Sequence, residues 1–135
     1  MLFDAKSPKP PTGIRKYIPL PILVVLIAVI IGALYFKFRN YPEEQAVNHF
    51  LTELESGSYQ EAYRLWQPAP SYTYQDFLHD WGPNGDYGKV REFSVLRTKS
   101  RGRDAVVVTI QINNQTPTLD LVVSRKTKGL AYSPF

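Results

Sequence analysis

Nineteen consecutive residues from Ile18 to Phe36, IPLPILVVLIAVIIGALYF, carry no charge, and Lys37 closes them. An α-helix rises about 1.5 Å per residue, so about twenty apolar residues cross a hydrocarbon core of about 30 Å. Thirteen of the nineteen are Leu, Ile, Val or Phe. At roughly −0.3 to −0.6 kcal/mol each, they favour insertion by an order of −4 to −8 kcal/mol. A buried core helix at the edge of a soluble domain would keep a polar face, and this run has none. It reads as a transmembrane helix over 17–37, with Tyr17, Ile18, Tyr35 and Phe36 as its membrane anchors, where interfacial aromatic belts form. Pro19 and Pro21 fall in the first turn, where a missing N–H costs little.

The flanking charges predict a direction. Lys6, Lys9, Arg15 and Lys16 precede the run, whereas Lys37 and Arg39 follow it closely. The positive-inside rule therefore places the N-terminus in the cytoplasm and the rest of the chain on the extracytoplasmic side of a plasma (inner) membrane. The run is longer than a signal-peptide core and ends without an A-x-A-like site, which predicts an uncleaved signal anchor. Residues 1–16, with Pro8, Pro10 and Pro11 among small and charged residues, read as a flexible cytoplasmic tail. Within the span, Ala28 and Gly32 stand four apart, a spacing that lets a second membrane helix approach closely.

Residues 38–41 form a short linker, since Pro42 followed by Glu43 and Glu44 opens a new helix. The chain has no cysteine, which excludes a disulfide framework, a thiolate nucleophile and a thiolate metal site. From Pro42 to Glu55, Ala46, Val47, Phe50, Leu51 and Leu54 recur at helical spacing, with Glu43, Glu44, Asn48, Glu53 and Glu55 expected to face water. Ser58 with Glu61, and Thr73 with Asp76, have the capping-box spacing that starts a helix. These predict helices running to about Trp66 and to about Trp81. After the turn-rich GPNGDYG at 82–88, strands are predicted at 90–98, 105–112 and 119–125, with a last short run in LAYSPF. Val106, Val108, Ile110 and Ile112 share one face, as do Leu119, Leu121 and Val123. Helices first and a meander after predict an α+β domain over 42–135, about three helices packed on a curved antiparallel sheet of three to four strands.

The run AVNHFLTELESGSYQEAYRLW, with the aromatic-Ala pattern of Tyr59, Ala62 and Tyr63, followed by YTYQDFLHDWGP and strands, resembles the nuclear transport factor two-like superfamily of SnoaL-like, cone-shaped α+β domains. It looks most like the small single-pass bacterial members. The resemblance covers about residues 42 to 135 and rests on packing residues. It implies a cone-shaped fold in a superfamily whose members include enzymes, ligand binders and membrane-complex scaffolds, so it does not choose among functions.

Among residues that carry chemistry, Asp76, His79 and Asp80 lie at helical spacing, so a carboxylate could orient an imidazole as a general base. His79 and Asp76 are thus the weak catalytic candidates, although Asp76 already serves as a cap. His49 could pair with Glu53 on the helix surface. The two histidines have no metal-binding spacing, so neither a metal nor another cofactor is expected. Trp66, Tyr72, Tyr74 and Trp81 could line a cone cavity for a small organic ligand, although such aromatics more often serve as core and rim packing.

The charge is unevenly divided. Residues 37 to 86 hold three Lys/Arg against eight Asp/Glu, and residues 87 to 135 hold nine against three. Lys89, Arg91, Arg97, Lys99, Arg101 and Arg103 concentrate the positive charge and suit anionic lipid or an acidic partner surface; nucleic acid is a poor partner for a domain outside the cell. The expectation is a membrane-anchored accessory or assembly subunit that binds membrane lipid, a protein partner or a second copy of itself. The alternative is a ligand-binding protein or enzyme that uses the cone cavity.

Overall fold

The computed structural model describes residues 18–134, so the expectations for the tail and for Tyr17 lie outside the described residues. By contacts the chain divides after Phe36 into two units. In the first, helix α1 starts at Leu20 and ends just beyond the division, at Phe38. It is nineteen residues long, none of them buried. A helix of this length and composition is able to cross a membrane. Ala28 and Gly32 lie one turn apart on it, and a Cβ added at Gly32 would meet nothing within 4 Å.

The second unit is an α+β domain. Helices α2 (Tyr41–Glu55), α3 (Tyr59–Trp66) and α4 (Tyr74–Trp81) precede strands β1 (Phe93–Arg101), β2 (Ala105–Ile112), β3 (Leu119–Ser124) and β4 (Leu130–Tyr132). The four strands form one antiparallel sheet in chain order. Alternation sets which face is buried: Val106, Val108, Ile110, Leu121 and Val123 are fully buried, in one cluster with Val47, Phe50, Leu51, Leu54, Ala62 and Phe77 from the helices. Leu119, read with the inward set, is only half-buried at the start of β3.

Helix starts differ in how they are capped. At α4 the Thr73 hydroxyl accepts from the Asp76 amide at 3.1 Å, and the Asp76 carboxylate accepts from the Thr73 amide at 3.0 Å. The corresponding box at α3 does not form. The Ser58 side chain makes no cap hydrogen bond, and Glu61 instead pairs with Arg64 one turn on. Here the local i,i+3 ion pair takes the carboxylate that the cap requires.

The strand expected at 90–98 begins later and ends later. Val90 is 98 % buried as a core residue outside any strand, and β1 continues through Lys99, Ser100 and Arg101 to a three-residue turn at 102–104. Gly102, at φ +68°, supplies the left-handed residue that this turn needs. A β-bulge interrupts β1: Val95 pairs Ile110 and Arg97 pairs Thr109, leaving Leu96 as the extra residue. Before the bulge Phe93 and Val95 pack on the core; beyond it Thr98 and Ser100 point to α2, and Arg97, Lys99 and Arg101 take the outer face.

Glu43, expected on the water-facing side of its helix, is 3 % exposed. Its carboxylate meets the Arg125 guanidinium at 3.1 Å and Lys128 Nζ at 3.6 Å. Arg125 also donates to the Asn40 side chain at 2.8 Å and to the Ser100 hydroxyl at 3.0 Å, and Ser100 donates to Asn40 at 3.1 Å. Thr98 donates to Glu44 at 3.2 Å. Cations that arrive from 82 or more residues away thus turn an apparently solvated acid into a buried one.

Removing one partner of a buried ion pair strands the other charge. Arg125→Ala is therefore expected to destabilise the domain by about 3 kcal/mol, with Lys128 compensating in part. Replacing both partners, Glu43→Leu with Arg125→Met, should recover most of that loss in denaturant titration of the full chain in detergent.

Candidate functional site

Three regions hold the residues that carry chemistry. In the first, the Leu96 bulge brings Arg97, Lys99 and Arg101 together on the outer sheet face, opposite Thr109, Val107 and Ala105 respectively. With Val107, Thr109, Asp120 and Ser133 they line an open groove of about 350 Å³. The Thr109 hydroxyl is spent on Asp120 at 2.6 Å. Arg97 and Lys99 make no ion pair among the described residues, so their charge faces outward.

Lys89 and Arg91, grouped with that row from sequence, lie elsewhere. They border a separate groove of about 370 Å³ with Tyr87, Gly88, Asn113 and Gln115. Asn113 organises the groove, accepting from the amides of Arg91 and Glu92 at 2.8 and 3.1 Å and donating to the Lys89 carbonyl at 2.8 Å. Proximity in sequence misled here, because β1 runs away from this end of the sheet. Its far end, at Arg101, leads into the 102–104 turn that carries Arg103.

The second region is aromatic. Trp66 and Trp81 are 6 % and 0 % exposed. Phe50 stands 5.2 Å from each of them, and Tyr132 stands 5.0 Å from Trp66 and 6.2 Å from Trp81. Tyr72 lies 6.3 Å from Trp66, and Tyr74 stacks at 6.4 Å on Phe77. These rings fill the space between helices and sheet instead of lining a cavity, because each takes another ring as its neighbour. Tyr74 borders a shallow groove of about 490 Å³ beside residues 57–61.

At the margin of this cluster Asp80 accepts from the Tyr72 hydroxyl at 2.5 Å and from the Tyr132 hydroxyl at 3.1 Å, which ties α4 to the last strand. Burial pushes both phenols well above the ordinary tyrosine value of 10.0, helped at Tyr72 by its hydrogen bond to Asp80 and at Tyr132 by the adjoining Tyr72 hydroxyl and the Asp80 charge. Burial also raises Tyr87.

The third region is the histidine. Asp76 is committed to its cap, and the Thr73 amide and hydroxyl hold its carboxyl below the usual range. His79 does not meet Asp76. Its ring is 78 % exposed, with Nδ1 3.7 Å from Asp80 and 4.0 Å from Asp86. The cap holds Asp76 at Thr73, and of the Asp76, His79 and Asp80 group it is Asp80 whose carboxylate lies beside the imidazole. The turn at 82–88 brings in Asp86, whose amide donates to the His79 carbonyl at 3.0 Å. His79, Asp80 and Asp86 place three ligand atoms within 4.8 Å of one another. Sequence spacing hid Asp86, although the cluster of turn formers before it was the available signal. His49 does pair with Glu53, at 3.4 Å on the surface.

Comparison of the chain with protein-family models, with curated proteins and with solved structures finds no match.

A phenol protonated more firmly in the folded state stabilises fully below the unfolded value near 10 and loses that contribution as pH rises above it. Thermal stability should thus fall steeply above pH 10 as the unfolded chain gains tyrosinates. Tyr132→Phe should make that fall shallower, and ultraviolet titration should show one fewer late-ionising phenol.

Proposed function

We propose that the chain is a single-pass membrane-anchored accessory or assembly subunit, a small α+β binding module held at the membrane surface. The observation that carries this reading is the contrast between the units. None of the residues of α1 is buried and its large apolar side chains stand exposed, whereas the domain buries a core of its own. Apolar surface on that scale needs a non-aqueous environment. The order of helices followed by a meander sheet is compatible with the resemblance to nuclear transport factor two-like domains, a superfamily that hosts membrane-complex scaffolds among other functions. The tail charges favour an N-terminus in the cytoplasm and an extracytoplasmic domain.

A protein whose interior is filled by rings binds through its outer surfaces, which favours a partner protein or the membrane over an enclosed small ligand. Ala28 and Gly32 supply a place where another membrane helix, including that of a second copy, can pack.

The full chain should remain with membranes after alkaline carbonate washing, and a tag on the C-terminus should be protected from the cytoplasmic side. Release by carbonate would remove the anchored reading. Purification in mild detergent should recover a protein partner or a dimer, and Gly32→Leu should weaken that association about tenfold or more if the helix carries it.

A further inference from the structure

We infer that the end of the domain where α2 begins is a docking surface for anionic lipid headgroups, built from cations that the fold gathers from three separate stretches of chain. The inference rests on the membrane-anchored reading and names the partner of its surface.

The placement follows from hydrogen bonds within the domain. Asn40 is bonded to Ser100 and to Arg125, and the Arg125 amide donates to the Asp104 carbonyl at 2.9 Å. Ala105 pairs both Arg101 and Ser124. The start of α2, the β1–β2 turn and the β3–β4 turn are therefore at one end of the sheet. Asn40 follows Phe36 by four residues, so covalent connectivity alone keeps it within roughly 15 Å of the last residue of the apolar run.

Arg39, Lys99, Arg103 and Lys126 are exposed at this end and make no ion pair among the described residues. Of the nearby acids, Glu43 is buried against Arg125 and Lys128, Glu44 accepts from Thr98, and Asp120, which shares a groove with Lys99, accepts from Thr109, which leaves Asp104. The other acids of the domain lie on the later turns of α2, on α3 and α4, and at Asp86 and Glu92.

Charge complementarity and the tether select the occupant. A phosphate-bearing bilayer surface is held within reach by the chain itself, at a local concentration that no soluble acidic partner matches. Each cation near such a surface is worth roughly a fivefold change in the contact equilibrium, screened as the Debye length falls to about 3 Å in 1 M salt. The bulge and the cations also guard the exposed edge of β1 against pairing with other strands. That duty, however, does not require Arg39 or Lys126, which are not on β1.

The test uses the full chain, which has no native cysteine, in nanodiscs of neutral phosphatidylcholine or of the same lipid with phosphatidylglycerol. A fluorophore on Thr127→Cys reports the end where α2 begins, and one on Gln115→Cys, in the β2–β3 turn, reports the opposite end. Headgroup-labelled quencher lipid should quench the Thr127 reporter several-fold more in anionic discs. That excess should vanish in 1 M salt and in the Lys99→Glu, Arg103→Glu, Lys126→Glu variant, while the Gln115 reporter stays unchanged. Equal quenching in both lipids, or an equal response at both reporters, overturns the inference and leaves the anchored reading intact. A triple variant that keeps its lipid response but sheds a co-purifying acidic protein also overturns it, in favour of a protein site. Failure of the chain to enter the discs removes both readings.

Discussion

The contact between Glu43 and Arg125 holds the domain to a single arrangement. It joins the first turn of α2 to the end of β3 across 82 residues of sequence, and its side branches reach Asn40, Ser100 and Lys128. Charge burial is costly, and a pair like this gains little net stability over an apolar one. Glu43 Oε2 and Arg125 Nε are buried without partners, which raises that cost further. The return is registry: one guanidinium, with Nη1 on Glu43 and Nη2 on Asn40 and Ser100, links the start of the helix to both turns at that end of the sheet. The acidic first turn, Glu43 and Glu44, also suits the positive end of the helix dipole.

The β1 bulge is the second constraint, and it works through parity. Side chains alternate along a strand, so one extra residue exchanges the two faces for everything beyond it. Arg97, Lys99 and Arg101 share odd numbers with Phe93 and Val95, which pack inward. Leu96, looped out of the pairing, sends the three cations outward and turns Thr98 and Ser100 toward α2, where Glu44 and Asn40 meet them. A single irregularity thereby creates the basic row and completes the polar network.

The aromatic cluster decides the character of the interior. Rings from all three domain helices and from β4 close on one another at centroid distances between 5.0 and 6.5 Å. Such packing supplies apolar burial of roughly 150–250 Å² per ring. It also accounts for the deep placement of Trp66 and Trp81, and it leaves the grooves of the domain shallow and external. The Asp80 carboxylate, bridged by two phenols, seals the margin of this cluster where the last strand meets α4.

Elements whose cause is local were legible in the sequence. The apolar run of α1, the periodicity of α2, the alternation of β2 and the Thr73–Asp76 cap depend on residues within a turn or two of each other, and all appear where periodicity and spacing place them. The reading went wrong where the deciding partner is distant in sequence. Glu43 is buried because Arg125 arrives beside it, and Lys89 and Arg91 separate from Arg97 because β1 carries the chain the length of the sheet. Sequence alone thus determined an apolar helix followed by an α+β domain, since solvent partitioning and backbone periodicity are local properties. Tertiary structure alone decided which charges are buried and which gather at the end of the domain where α2 begins, because ion pairing and strand register depend on where distant segments meet.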